Sequence, residues 1–161
     1  MEIQCSTATF DRGLPMLTIL FGTESGNAEM AAEDMAEVIN LTGKQTRVMS
    51  MEDYDPQDLV CEEHVIIMTS TYGEGDLPLT SAPFYSKIEE LKLDLSGLKF
   101  SAFGLGDSTY EHFNGAIHTF VKLLKDLGAE QVGETGTHDA SRLHTASDIA
   151  SCWASRLFMV A

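Results

Sequence analysis

One pattern restricts this chain more than any other: short apolar stretches suited to strands alternate with helical periodicity from Met16 to the C-terminus. Strand candidates are Met16 to Phe21, Thr46 to Ser50, His64 to Thr69, Phe100 to Leu105 and a weaker one around Gln131 to Gly133. Three are continuous apolar runs, as expected of parallel strands covered on both faces. Between them, Ala31, Met35, Val38 and Ile39 share one helical face, with Leu41 at its edge and Gly43 as a stop. Ile117, Phe120, Val121, Leu124 and Leu127 share another, stopped by Gly128; Phe84, Ile88 and Leu91 mark a third helix, and Ile149, Trp153 and Leu157 a last one. Alternating βα units joined by right-handed crossovers predict an α/β three-layer sandwich around a five-stranded parallel sheet in the order 2-1-3-4-5. In such sheets ligands sit beyond the carboxyl ends of the strands, where the strand order reverses.

The length of 161 residues fits one domain, residues 16–161, preceded by a polar extension over residues 1–15. Twenty-five acidic against 10 basic residues give a net charge of -15. That surface repels nucleic acid and anionic membranes and steers basic proteins toward itself. Cys5, Cys61 and Cys152 are odd in number and scattered, which predicts free thiols in a reducing compartment and no metal site. No apolar run approaches membrane-spanning length and the start has no secretory pattern, so a cytoplasmic protein is expected.

Three loops would converge at the carboxyl edge. The first, GTESGNAE after strand one, lacks the Gly-Lys-Ser/Thr of a Walker A loop and the GxGxxG spacing. It offers backbone N–H groups opening a helix, with Thr23, Ser25 and Asn27 as side-chain donors. A helix N-terminus favours an anion by about 0.3 to 2 kcal/mol. The competing reading is a plain helix cap by Ser25 or Asn27. The second loop, TSTYGEGDLP from Thr69, holds Tyr72 between hydroxyls and glycines; the third, GLGDSTYEHFN from Gly104, sets Tyr110 beside His112 and Phe113. Two aromatic-bearing loops beside a phosphate loop point to a planar ring with a phosphorylated tail, a description that flavin mononucleotide (FMN) fits.

The segments FGTESGNAE, STYGEGD and GLGDSTYEHFN, in this order and spacing, resemble those of flavodoxins, in particular the FMN-binding domains of diflavin reductases such as cytochrome P450 reductase and sulfite reductase. The stretch from Pro83 through Thr135 also resembles stand-alone MioC-type flavodoxins. The likeness runs from about Leu17 to Leu157, and the short span between Leu127 and Thr145 leaves no room for the insertion of long-chain members. The resemblance implies a flavodoxin-like fold, FMN as cofactor, and a site residue by residue. Thr23, Glu24, Ser25, Gly26, Asn27 and Ala28 would wrap the phosphate. Ser70, Thr71, Tyr72 and Gly73 would flank one side of the isoalloxazine ring; Leu105, Gly106, Asp107, Tyr110, His112, Phe113 and Asn114 would flank the other, with Tyr110 stacked on its outer face. Asp139, in GTHDAS, falls where diflavin proteins place an aspartate near the flavin, although His138 departs from their usual small residue.

Charge then bears on the chemistry. Reduced FMN is an anion at N1, and carboxylates around it make that state costly; each 1.4 kcal/mol lowers a one-electron potential by about 59 mV. The Gly73 carbonyl can accept the proton at flavin N5 if the peptide to Glu74 flips, which glycine permits. Glu29, Glu33 and Glu37 stand at i, i+4 and i+8 on the first helix with Asp34 alongside. Like charges so spaced cost about 0.2 to 0.5 kcal/mol per pair, so the stripe, with Glu74 and Asp76, reads as a docking face for a basic redox partner. No nicotinamide-binding module accompanies it. An electron carrier is therefore expected, a monomer fed by a separate flavin reductase and delivering to a haem or iron–sulfur protein, or else an FMN domain excised from a larger reductase.

Two other readings share parts of the pattern. Gly106-Asp107-Ser108 with Asp139 and His144 would make a GDS-type serine hydrolase, but in those enzymes the serine follows the first strand and the Asp–His spacing is shorter. A response-regulator receiver needs an aspartate ending strand three, where Thr69-Ser70-Thr71 stands. His64, His118 and His144 show no ligand spacing and are expected at the surface or at helix ends, and Trp153 in the core.

Overall fold

In the first strand, β1 (Met16–Gly22), side chains alternate between two separate cores. Leu17, Ile19 and Phe21 face one, Leu20 the other. The computed structural model describes residues 16–158 apart from 24, 25, 73, 74, 110 and 112. Chain order continues with α1 (Asn27–Asn40), β2 (Gln45–Ser50), a 3-10 helix (Pro56–Cys61), β3 (His64–Ser70), α2 (Ala82–Leu91), β4 (Lys99–Gly106), α3 (Gly115–Asp126), β5 (Glu130–Gln131), β6 (Gly136–Asp139) and α4 (Ala146–Phe158). The two-residue period of a strand splits β3 and β4 the same way, Val65 and Ile67 from Ile66 and Met68, Phe100 and Ala102 from Phe103 and Leu105. One core is closed by α1 and α4, the other by α2, α3 and the 3-10 helix. The three-layer sandwich is the expected one.

The sheet runs β2-β1-β3-β4-β5, every pair parallel. Among the described residues it has six strands rather than five, because both β5 and β6 pair with β4. The chain leaves the ladder at Gly133, whose φ of 76° suits glycine, and returns at Gly136 to line Gly136–Asp139 against Phe103–Gly106. The fifth position is thus filled in two pieces, and the second reads as polar loop because GTHD has no apolar run. That return carries Asp139 up to the carboxyl edge, opposite Gly106.

Helix α1 buries Ala28, Ala31, Ala32, Met35, Ala36 and Ile39, a stripe of small residues that faces Ala150 and Ala154 of α4. Leu41, expected at the edge of that face, is 80% exposed. Helix α3 ends at Gly128 (φ 100°): Ala129 N–H reaches Leu124 O at 3.0 Å and Gly128 N–H reaches Lys125 O at 3.0 Å, a Schellman stop that turns the chain into β5. Trp153 is half-buried, tilted on Phe103 at 5.5 Å with its indole N–H on Glu134 O. His64 is half-buried rather than fully exposed; it begins β3 and bonds Ser101. The expectation of free thiols holds for Cys152 and fails for Cys61, which is disulfide-bonded. Odd number and wide spacing exclude a framework of bonds, not one bond. No helix among the described residues is long and apolar enough to cross a membrane.

Candidate functional site

Strand β1 ends between β2 and β3, so the loop after it leaves the sheet where the order reverses. Gly26, with φ 87°, stands at the N-cap of α1, and Asn27 and Ala28 open the helix. Asn27 is therefore no cap. The cap glycine has no side chain, and the first-turn N–H groups face the loop without a side-chain acceptor from that position. Thr23 Oγ1 accepts the Gly26 N–H at 2.9 Å. Thr23 also holds Thr80 twice, donating its N–H to Thr80 Oγ1 at 2.7 Å and accepting that hydroxyl's hydrogen on its carbonyl at 2.9 Å.

The loops after β3 and β4 start side by side. Ser70 and Leu105 are register partners, and Thr71 N–H donates to Leu105 O at 2.9 Å. Tyr72 and Asp76 exchange two backbone hydrogen bonds of 2.8 Å, which closes a tight hairpin and leaves Tyr72 58% exposed. The return of the hairpin packs on the start of α3: a Cβ on Gly115 would lie 2.9 Å from Gly75 Cα. Asp107 Oδ1 accepts from the Thr109 N–H (2.9 Å) and hydroxyl (2.6 Å), so this carboxylate is spent on its own turn. Phe113 is half-buried.

Asn114, fully buried at the N-cap of α3 with φ 56°, lies under this loop. Its Oδ1 would be 2.9 Å from a Cβ on either Gly104 or Gly106, which explains the small residues above it. Among the described residues neither amide atom of Asn114 has a hydrogen-bond partner, and the same is true of Ser70 Oγ and Thr71 Oγ1, all buried. An unpaired buried polar atom costs about 1–3 kcal/mol. Such atoms gathered on two adjoining loops are the mark of a site that a polar, hydrogen-bonding ligand completes, and they fit a flavin with its hydroxylated tail.

Asp139 ends β6 opposite Gly106, and its carboxylate turns to the protein. Oδ1 accepts from Ser108 N–H (3.0 Å), Ser141 N–H (3.0 Å) and Ser141 hydroxyl (2.7 Å), and Arg142 Nε is 3.7 Å from Oδ2. The bonds from Ser108, and then those from Ser141, hold its pKa well below the usual carboxylate range. Sequence reading missed Thr80 and Ser141 altogether, since a hydroxyl that braces a distant backbone has no spacing signature. The Ser108 hydroxyl pairs with Ser141 Oγ at 3.0 Å, and the His144 carbonyl is 2.7 Å from His138 Nε2, so neither of these contacts joins Ser108 to a histidine ring. Glu24, Ser25, Gly73, Tyr110 and His112, with the extension 1–15, lie outside the described residues.

A cleft of about 410 Å³ flanks the first loop, lined by Thr23, Thr80, Glu29, Glu33, Glu52 and Asp53 among others. Its carboxylates suit cations, not a phosphate. Among the described residues no group of three His, Cys, Asp or Glu is placed to hold a metal.

The model of the family described as Flavodoxin matches residues 19–153. The flavoprotein alpha-component of sulfite reductase [NADPH] from Thiocapsa roseopersicina is 37% identical over 125 residues, 77% of this chain and 24% of that protein. Human NADPH–cytochrome P450 reductase is 35% identical over 128 residues, 76% of this chain and 19% of its own length. The chain thus spans a quarter or less of these relatives. Protein MioC of Escherichia coli K12 is 37% identical over 121 residues, 74% of this chain and 80% of MioC. Among solved structures, a C101S mutant of flavodoxin from Pseudomonas aeruginosa aligns with a TM-score of 0.81 at 28% identity, covering 89% of this chain and 97% of that one.

Proposed function

The chain belongs to the flavodoxin family, and on that premise we propose that it carries electrons from a flavin reductase to a basic haem or iron–sulfur protein. Its cofactor is FMN, and its work is electron transfer. FMN supplies the chemistry by accepting and releasing electrons singly; the protein binds it, orients it and sets its electrostatic surroundings. The observation that carries the reading is the set of buried atoms of Ser70, Thr71 and Asn114 at the carboxyl edge that have no partner among the described residues, beside a helix start with glycine at its N-cap.

In this reading the first-turn N–H groups after Gly26, with Thr23, Asn27 and Ala28 and the neighbouring Glu24 and Ser25, bind the phosphate. Ser70, Thr71, Tyr72 and Gly73 line one side of the ring. Leu105, Gly106, Asp107, Tyr110, His112, Phe113 and Asn114 line the other, and Asp139 braces that loop through Ser108. Exposed Glu29, Glu33, Asp34 and Glu37, next to a cleft that adds Glu52 and Asp53, form the face a basic partner meets. The protein works in the cytoplasm as a monomer. A second reading, the FMN domain of a diflavin reductase, is favoured by the 24% and 19% of the two reductases that the chain matches.

The test is a spectrum. The purified protein, or the apoprotein titrated with FMN, should show oxidised-flavin absorbance, and denaturation should release FMN and not FAD. No flavin band after titration overturns the reading.

A further inference from the structure

Thr23 lies one residue past the last register pair of β1, and a side chain from 57 residues away bonds its backbone there. Thr80 Oγ1 accepts the Thr23 N–H at 2.7 Å and donates to the Thr23 carbonyl at 2.9 Å, so a single hydroxyl satisfies both backbone groups. With its backbone fixed, Thr23 can turn Oγ1 to the Gly26 N–H at 2.9 Å and close the loop onto the start of α1. The Thr23 amide is thereby removed from the donors open to an anion. Among the described residues of the loop, the first turn of α1, the Asn27 side chain and the hydrogen of the Thr23 hydroxyl remain.

The clasp is anchored from behind. Ser81, next to Thr80, is fully buried and bonds Thr69 Oγ1 at 2.9 Å. It presses so closely on Gly22 that a Cβ there would collide with its hydroxyl. Thr80 is therefore held by the sheet, not by a ligand. The loop it supports has no lysine or arginine between Arg12 and Lys44, so a phosphate there depends on the placement of N–H groups rather than on a flexible cation. The ring-side loop has its own tie, Thr71 N–H on Leu105 O.

From these contacts, and resting on the FMN reading above, we infer that Thr80 is the positioning residue of the phosphate loop and sets the preference for phosphorylated over unphosphorylated flavin. Loss of its hydroxyl leaves the Thr23 backbone unheld and the loop misplaced, while contacts to the ring persist.

The test compares dissociation constants of FMN and riboflavin for the unsubstituted apoprotein and for T80V and T80S. Thr80→Val should lose about five- to tenfold in FMN affinity, the worth of one net hydrogen bond, and change riboflavin affinity by less than about twofold. Thr80→Ser should retain both affinities. Equal losses for the two flavins, or no loss for FMN, would overturn the inference. Should Thr80→Val fail to fold, hydrogen exchange of the Thr23 amide in the unsubstituted protein decides: slow exchange with and without FMN supports the clasp, free exchange without FMN overturns it. An unsubstituted protein that binds neither flavin overturns the FMN reading itself, whereas normal FMN binding with an indifferent Thr80→Val overturns the role of Thr80 alone.

Discussion

Asp139 accepts the backbone N–H of Ser108 at 3.0 Å, tying the loop after β4 to the end of β6, 31 residues further on. The same oxygen gathers two bonds from Ser141, so one carboxylate sets the shape of two loops at the edge of the site. Asp139→Ala should loosen the Asp107–Asn114 segment and weaken FMN binding several-fold; Asp139→Asn, which keeps one acceptor oxygen, should do less. The sign with pH follows from the lowered pKa, whose largest cause is Ser108. Its contribution to stability is present above the ordinary value of 3.8 and is lost as pH falls through the lower folded value. Thermal melts should show the unsubstituted protein ahead of Asp139→Asn at pH 7 and the gap closing below about pH 4. A gap independent of pH would mean that the charge is not what matters.

A second cluster holds the 3-10 helix to the sheet. Glu62 takes hydrogen bonds from Thr18 (3.1 Å to each oxygen), Arg47 (3.0 Å) and the Tyr54 hydroxyl (2.9 Å), with its side chain 13% exposed. Removing the acceptor takes this partner from the Thr18 and Tyr54 hydroxyls and one bond from Arg47. Glu62→Ala should cost about 2–4 kcal/mol and Tyr54→Phe about 1 kcal/mol in urea unfolding. Burial, and next the Glu62 charge, push the Tyr54 phenol well above 10.0. A raised folded pKa means that this contribution is complete below pH 10 and is lost as pH climbs through the folded value, so Tyr54→Phe should flatten the alkaline limb of stability.

Legibility in the sequence followed the kind of interaction. Strands β1, β3 and β4 announce themselves because burial on both faces demands unbroken apolar runs, and α1 and α3 because one face must be apolar. The three loops were legible as composition: hydroxyls, glycines and aromatics after strand ends. β6 was hidden because GTHD pairs by backbone alone. The roles of Thr80, Ser108 and Ser141 were hidden because side chain to backbone bonds across 57 or 31 residues leave no periodic trace. Asp139 stands out in the sequence by position alone, and only geometry reveals that its carboxylate is committed to the neighbouring loops. The tie from half-buried His64 to Ser101, 37 residues away, has no spacing signature either.

His64 in fact joins β3, β4 and the chain after β5. Its Nε2 is 2.9 Å from Ser101 Oγ, and that hydroxyl donates to Val132 O at 2.9 Å. With the serine hydrogen spent, Nε2 must carry the imidazole proton and donate. Burial first, and then Lys44 and Lys99, lower the His64 pKa to about 4. The neutral ring therefore stabilises the fold fully above its ordinary value of 6.5, and this is lost as pH falls toward 4. The ring is partly solvated, so the loss should be about 1–2 kcal/mol rather than the full worth of the shift. His64→Gln should narrow the difference between urea midpoints at pH 7 and pH 4.5, and the His64 ring resonances should titrate near 4. A titration near 6.5 would refute the burial argument.

Helix α1 presents Glu29, Glu33, Asp34 and Glu37 to solvent, and the like-charge stripe works against the helix that bears it. If that stripe steers a basic partner, the rate at which the reduced holoprotein passes electrons to cytochrome c must depend on screening. Interactions between exposed charges fade beyond about 10 Å at 0.1 M salt, so the rate should fall by about tenfold or more between 0.02 and 0.5 M. Glu33→Gln with Glu37→Gln should lower the rate at low salt and flatten its salt dependence, leaving FMN affinity and the melting temperature near those of the unsubstituted protein. The two residues sit beyond the first turn of α1, where the helix dipole no longer rewards an acid, so the substitutions should stabilise the isolated fold slightly if they change it at all. A rate indifferent to salt, or one altered equally at low and high salt by the substitutions, would move the partner's landing place away from α1.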